Sequence, residues 1–193
     1  MAVRLPAPRR RRQLLDVALD VFSTKGFHQA SMDDVAEAAG VTKPVLYQHF
    51  GSKRELYLEI LRGVGNDLMD AVVEATSTAA GPHAQVEAGF EAYFSFVASH
   101  ASAFRLLFGG GRQDEEFAAV ALGVEKAMAD AVARLITADL DDEHRLLLAH
   151  AVVGLAEGTS RHWVAQDLDL DPGRLAARVA ELAWGGLRGV RPR

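Results

Sequence analysis

Between Thr42 and His49 the sequence TKPVLYQH places a hydroxyl, an ammonium, a phenol and an imidazole within one short segment. Each can donate a hydrogen bond to a phosphate oxygen, and the Pro44 and Val45 side chains between them can touch a thymine methyl. Lys43, Pro44, Val45, Tyr47, Gln48 and His49 are therefore the candidate DNA face. Thr42, just before them, can cap a helix or meet a phosphate, and the first N–H groups of that helix have no intrahelical acceptor. Such groups position a protein more than they read bases, so part of the specificity is expected from DNA shape.

The elements that would hold this face can be read on either side of it. Leu14, Leu15, Val17, Ala18, Val21 and Phe22 recur at three- and four-residue spacing, which predicts a helix from Arg9 to a glycine cap at Gly26. Ser31 with Asp34 forms a capping box for a short second helix carrying Val35, Ala36, Ala38 and Ala39, stopped by Gly40. Thr42 and Pro44 then open a third helix ending near His49 or Phe50, with Phe50 read as core. Ser52 and Glu55 start a long fourth helix bearing Leu56, Tyr57, Ile60, Leu61, Val64 and Leu68, locally weakened by Gly63 and Gly65. Two short helices joined by a tight turn of small residues, Ala38 to Val41, meet the needs of a helix-turn-helix.

Beyond residue 75 the helical signals continue. TSTAAGP, Thr76 to Pro82, is a break, and Pro82 opens a helix through Phe90, Tyr93, Phe94, Phe96 and Val97. FGGGRQD after Phe108 is a second break, followed by helices over about Asp114–Ala138, Asp141–Gln166 and from Pro172 onward. No strand pattern appears, so the fold class is all-α with about nine helices: an N-terminal helix-turn-helix domain over residues 1–55 and a second helical domain over 56–193.

Composition narrows the function classes. The chain of 193 residues is 49% hydrophobic and 24% charged, ordinary globular usage, and it has no cysteine, which removes disulfides, thiolate metal sites and a cysteine nucleophile. Residues 1–62 hold ten Lys/Arg against seven Asp/Glu, and residues 63–193 hold eleven against nineteen. A positive head on an acidic body suits one module that meets phosphate and another that stays away from it. No zinc-protease, Walker or GxSxG pattern occurs, and His144 and His150 fall on different helix faces, so neither enzyme, cofactor nor metal is expected. Without an apolar leader or an eighteen-residue apolar run, a cytoplasmic chain with no membrane contact is expected. Arg9 to Arg12 read equally well as a minor-groove arm or as a solvated basic tail.

The run DDVAEAAGVTKPVLYQHFGSKRELY, Asp33 to Tyr57, together with ALDVFSTKGFHQAS before it, resembles the helix-turn-helix signature of the tetracycline-repressor-like (TetR) family. The resemblance implies phosphate contacts from Thr42, Tyr47 and His49, with Lys43, Pro44 and Val45 nearest the base edges. It also implies a further backbone contact from Lys53, a homodimer on a palindromic operator in double-stranded DNA, and a small-molecule effector held by the middle helices. Phe90, Tyr93, Phe94, Phe104, Phe108 and Trp163 are the candidate pocket, with His100, Arg105, Glu157 and His162 as its polar groups. Leu148, Val152, Leu155 and Leu182 are the candidate dimer interface, with Gly154 and Gly158 permitting close helix approach. The expected action is repression relieved when an apolar effector shifts the fourth helix. A regulator without a small-molecule effector, governed by a protein partner, or an activator, is the alternative.

Overall fold

A computed structural model describes residues 6–109 and 114–188; for 187 and 188 only the backbone is described. Among the described residues there are nine helices and no strand: α1 (Ala7–Gln29), α2 (Met32–Ala38), α3 (Lys43–Tyr47), α4 (Lys53–Thr78), α5 (Pro82–Ser99), α6 (Ala101–Gly109), α7 (Glu115–Ala133), α8 (Asp142–Ala165) and α9 (Pro172–Arg188). They pack as two compact units, Met1–Val64 with Ser102–Val120, and Gly65–Ala101 with Ala121–Arg193. This grouping cuts inside α4 and takes α6 into the first unit, whereas the sequence reading divides the chain at residue 55.

In the first unit the inward positions of α1 are Leu14, Ala18 and Phe22, four residues apart, and all three are fully buried. α1 is interrupted at Gly26, whose φ of 75° and ψ of 160° suit glycine and turn the chain so that Phe27 folds back. Phe27 then meets Tyr57 at 4.9 Å and Phe117 at 4.8 Å, and Tyr57 also meets Phe22 edge-on at 5.1 Å. This aromatic cluster ties α1, the start of α4 and the start of α7 together, each buried ring contributing about 1.5–3 kcal/mol of transfer energy. Burial also pushes the Tyr57 phenol above its ordinary pKa. Arg54 closes the same region by a two-pronged bond to Asp114 at 2.8 and 2.7 Å, a further bond to Glu116 at 2.6 Å, and a seat over the Phe117 ring at 4.8 Å.

The second unit is built on α5, whose residues Phe90, Tyr93, Phe94 and Val97 form one buried stripe. α5 lies against α9 and α8, whose own buried stripes are Ala176, Val179, Ala180 and Ala183, and Ala149, Val153, Ala156, Ser160 and Trp163. The alanines on α9 let the helices approach closely. Gly65 on α4 serves the same end, because a Cβ there would overlap Cγ2 of Val124 on α7. α7 stops at Ala133 rather than reaching Ala138, the N–H groups of Leu135 and Ile136 turning back three residues to the carbonyls of Val132 and Ala133. That tightened last turn frees residues 134–138 from the helix. The expected FGGGRQD break falls in part on residues 110–113, outside the described residues.

Candidate functional site

The capping box that starts α2 is complete: Ser31 Oγ accepts from the Asp34 N–H at 3.1 Å and the Asp34 carboxylate accepts from the Ser31 N–H at 2.8 Å. With Lys25 adding a bond at 2.7 Å, the Asp34 carboxyl is lowered to about 2. Gly40, at φ 64°, then ends the helix, and its N–H and that of Val41 return to the carbonyls of Glu37 and Ala36. Thr42 follows as the N-cap of α3 with extended backbone, but its hydroxyl makes no capping bond and stays exposed.

Two side chains orient α3. Leu46 and Phe50 are 0% and 1% exposed, so they are its anchors, and the other positions must face outward. Thr42, Lys43, Pro44, Tyr47 and Gln48 are exposed and Val45 and His49 half-buried, so each of the predicted residues is open to solvent. Tyr47 is 43% exposed, much for a tyrosine. Lys43 is bonded at 3.0 Å to Asp33, which raises its ammonium above the ordinary lysine range. Asp33 was missed in the sequence because a partner ten residues away on a different helix leaves no local signal.

Lys53 is placed differently from its neighbours. Its Nζ donates to the carbonyl oxygens of Phe27 at 2.7 Å and Ala30 at 2.9 Å and lies 4.5 Å above the Phe27 ring. It thus ties the start of α4 to the end of α1. Arg9 to Arg12 are helical, within α1, so they form no extended arm; Arg11 pairs with Glu59 and covers the Phe50 ring at 4.4 Å.

The second unit contains a cavity of about 450 Å³, inside the range of roughly 300–1,000 Å³ usual for small-molecule sites. Val72, Phe90, Tyr93, Met128, Val153 and Ala156 are its buried lining; Val73, Ser77, Pro82, Arg134, Thr137 and Ala138 line it where it is exposed. Phe90 and Tyr93 are thus where the sequence reading expects them. Phe94, Phe104, Phe108 and Trp163 are not: all are buried in the packing, and Phe104 and Phe108 belong to the first unit. Trp163 spends its indole N–H on the Leu168 carbonyl at 2.9 Å.

None of the four expected polar groups lines the cavity. His100 stacks on Phe96, Arg105 and His162 are exposed, and Glu157 is buried beside Arg161 at 3.2 Å. Burial, with Glu157 as the next cause, drives the Tyr93 phenol far above its ordinary pKa, so it stays neutral. Leu148 and Val152, expected at a dimer interface, line the cavity; Leu155 is half-buried and Leu182 is 63% exposed. Among the described residues no cluster of acidic and histidine side chains is placed to hold a metal ion, and no helix is long and apolar enough to cross a membrane.

Comparison with known proteins agrees with this arrangement. Residues 14–60 match the bacterial regulatory proteins of the tetR family, and residues 82–186 match a tetracyclin repressor-like C-terminal domain. The transcriptional activator FasR of Mycolicibacterium smegmatis is 37% identical over 97% of this chain and 87% of its own. The transcriptional repressor KstR2 of Rhodococcus jostii is 29% identical over 95% and 80%. The regulator FadR of Bacillus subtilis, solved with stearoyl-CoA, shares the fold with a TM-score of 0.79 at 20% identity, covering 93% of this chain and 99% of that one. A capped helix-turn-helix, a second helical unit enclosing a cavity, and these matches over nearly the whole length make the chain a member of the TetR family of DNA-binding transcriptional regulators.

Proposed function

We propose that the chain is a ligand-responsive repressor that binds a palindromic operator as a homodimer and leaves it when a small, largely apolar molecule enters the cavity. The observation that carries the DNA-reading part is the outward face of α3: with Leu46 and Phe50 buried, Thr42, Lys43, Pro44, Val45, Tyr47 and His49 remain for the duplex. Thr42, Tyr47 and His49 serve phosphates, and Lys43, Pro44 and Val45 lie toward the base edges. Lys53 serves by holding α4 against α1. The ligand-responsive part is supported by the apolar lining of the cavity and by FadR, a protein of the same fold solved with a bound acyl thioester. Repression follows KstR2; FasR, an activator, supports the opposite output of the same DNA-binding unit.

One helix-turn-helix spans one half-site, so two copies are required for a palindrome. The outward stripe of α8, Leu147, Ala151, Gly154 and Gly158, with Leu182 on α9, is the surface proposed for pairing; Leu147 is 60% exposed. α4 is one continuous helix from Lys53 to the cavity-lining Val72, Val73 and Thr76, and an effector acts by favouring one position of it. The test is fluorescence anisotropy against DNA flanking the protein's own gene. Tight binding that falls steeply with salt, and that Lys43→Ala and Tyr47→Ala each weaken at least tenfold, is the expected result. Variants that bind as the wild type does would overturn the assignment of α3.

A further inference from the structure

The cavity is lined mostly by apolar side chains, and its polar lining residues are Thr76, Ser77, Gln85, Tyr93, Arg134 and Thr137. Thr76 is buried, and its hydroxyl is already spent on the carbonyls of Val72 and Val73 at 2.8 and 3.2 Å. Tyr93 is held neutral by burial. Of the lining residues only Arg134 carries a charge, and it sits in the segment that leaves α7 one turn early, with Thr137 three residues on. Both are exposed, and among the described residues Arg134 makes no ion pair within 4.0 Å. The acidic group that it feels, Asp130, is already bonded to Lys126 at 2.7 Å. An uncommitted guanidinium at the edge of an apolar cavity can form charge-assisted bonds to an acid group whose chain is buried inside.

We infer that the effector is an anionic amphiphile, its apolar part among Val72, Phe90, Met128 and Val153 and its acid group on Arg134 and Thr137 at the mouth. A neutral molecule of the same chain forgoes the charged contact. A partly exposed pair of this kind carries about a tenfold preference, which equals about 1.4 kcal/mol. Two groups would satisfy the guanidinium, a carboxylate on the chain itself and a phosphate on a carrier joined to it. The inference rests on the ligand-responsive reading above and narrows it.

Isothermal titration calorimetry on the 193-residue chain tests it with dodecanoate, dodecanol and dodecanoyl-CoA, each also added to the protein–operator complex. Wild type is expected to bind at least one anionic probe about tenfold more tightly than the alcohol. Arg134→Ala is expected to erase that preference while leaving alcohol binding unchanged, and Arg134→Lys to keep part of it. If the acid is preferred, the group read is a carboxylate; if only the thioester is, it is a phosphate. Alcohol and anions binding equally, or a preference that survives Arg134→Ala, overturns the inference and leaves an apolar effector standing. If none of the three binds or releases DNA, the ligand-responsive reading fails with it.

Discussion

Replacing Lys53 with methionine separates a residue that holds the DNA-binding unit together from one that touches DNA. The ammonium donates to the carbonyls of Phe27 and Ala30 at 2.7 and 2.9 Å and covers the Phe27 ring at 4.5 Å. Bonds involving a charged group contribute about 1.5–3 kcal/mol each when shielded, and a cation over a ring adds about 0.5–1 kcal/mol. Water can replace part of both bonds at this half-buried position, so the expected loss is roughly 2 kcal/mol in urea unfolding followed by circular dichroism. Each phosphate contact contributes about 0.9 to the slope of log affinity against log salt. With its ammonium turned to protein carbonyls, Lys53 contributes nothing to that slope. Lys53→Met should therefore destabilise the protein and leave the slope of operator binding as it was. A Lys53→Met protein of wild-type stability whose slope falls by about 0.9 would refute the reasoning and make Lys53 a phosphate ligand.

Acid should weaken the first unit in a defined window. Asp34, lowered to about 2 chiefly by Lys25, and Asp114, lowered chiefly by Arg54, contribute stability that is complete above the ordinary carboxylate pKa of 3.8 and is lost as pH falls through their folded values. Thermal midpoints measured from neutrality down into that range should therefore decline below about pH 4, and Arg54→Gln should lower the midpoint at neutrality while flattening the decline. An acid limb as steep in the variant as in wild type would count against the Arg54 clamp. On α4, Gly65→Ala should cost about 1–3 kcal/mol because its methyl group meets the stiff, β-branched Val124. Gly63→Ala, where a Cβ meets nothing within 4 Å, should gain about 0.5–1 kcal/mol from helix propensity. Equal effects in chemical denaturation would show that the close approach at Gly65 is not what that glycine is for.

How well each part could be read from the sequence follows how local its determinants are. Ser31 with Asp34, Gly40 at positive φ and Thr42 before Pro44 act within a few residues of themselves, so the turn, α3 and the burial of Phe50 were legible, whereas Leu46 as the second anchor came only from the structure. Ser52 and Glu55 were legible as a start signal too, although Glu55 reaches the Gly51 N–H at 2.9 Å rather than that of Ser52. The direction taken by a flexible side chain is decided by partners far along the chain, and so Lys53 turning to Phe27 and Ala30, and Lys43 finding Asp33, left no trace in spacing. The cavity was misread for another reason. Of the rings expected as its walls Phe90 and Tyr93 line it, whereas Phe94, Phe104 and Phe108 are buried elsewhere in the packing. The walls are mostly smaller residues, Val72, Val153 and Ala156 among them, which stop short of one another. The end of α7 was misplaced because Ala133 to Ala138 contains no helix breaker; the chain leaves the helix through backbone bonds to Val132 and Ala133 that no residue type announces.

The phase of α8 shows why a shift of one residue matters. Leu147 and Leu148 are adjacent and equally apolar, but in a helix neighbouring residues point about 100° apart. Leu148, Val152 and Ala156 line the cavity, while Leu147, Ala151, Gly154 and Gly158 face outward. One helix thus supplies a wall to the ligand and, in the proposed dimer, a surface to the partner. Packed interiors pass small displacements on rather than absorbing them. In the proposed ligand-responsive homodimer, a molecule filling the cavity presses on the element whose outer stripe meets the partner, and the separation of two α3 helices on DNA follows from that meeting. Under that reading occupancy and half-site spacing would be coupled through α8 as well as along α4, so enlarging Leu148 should mimic a ligand while enlarging Leu147 should disturb only the pairing of chains.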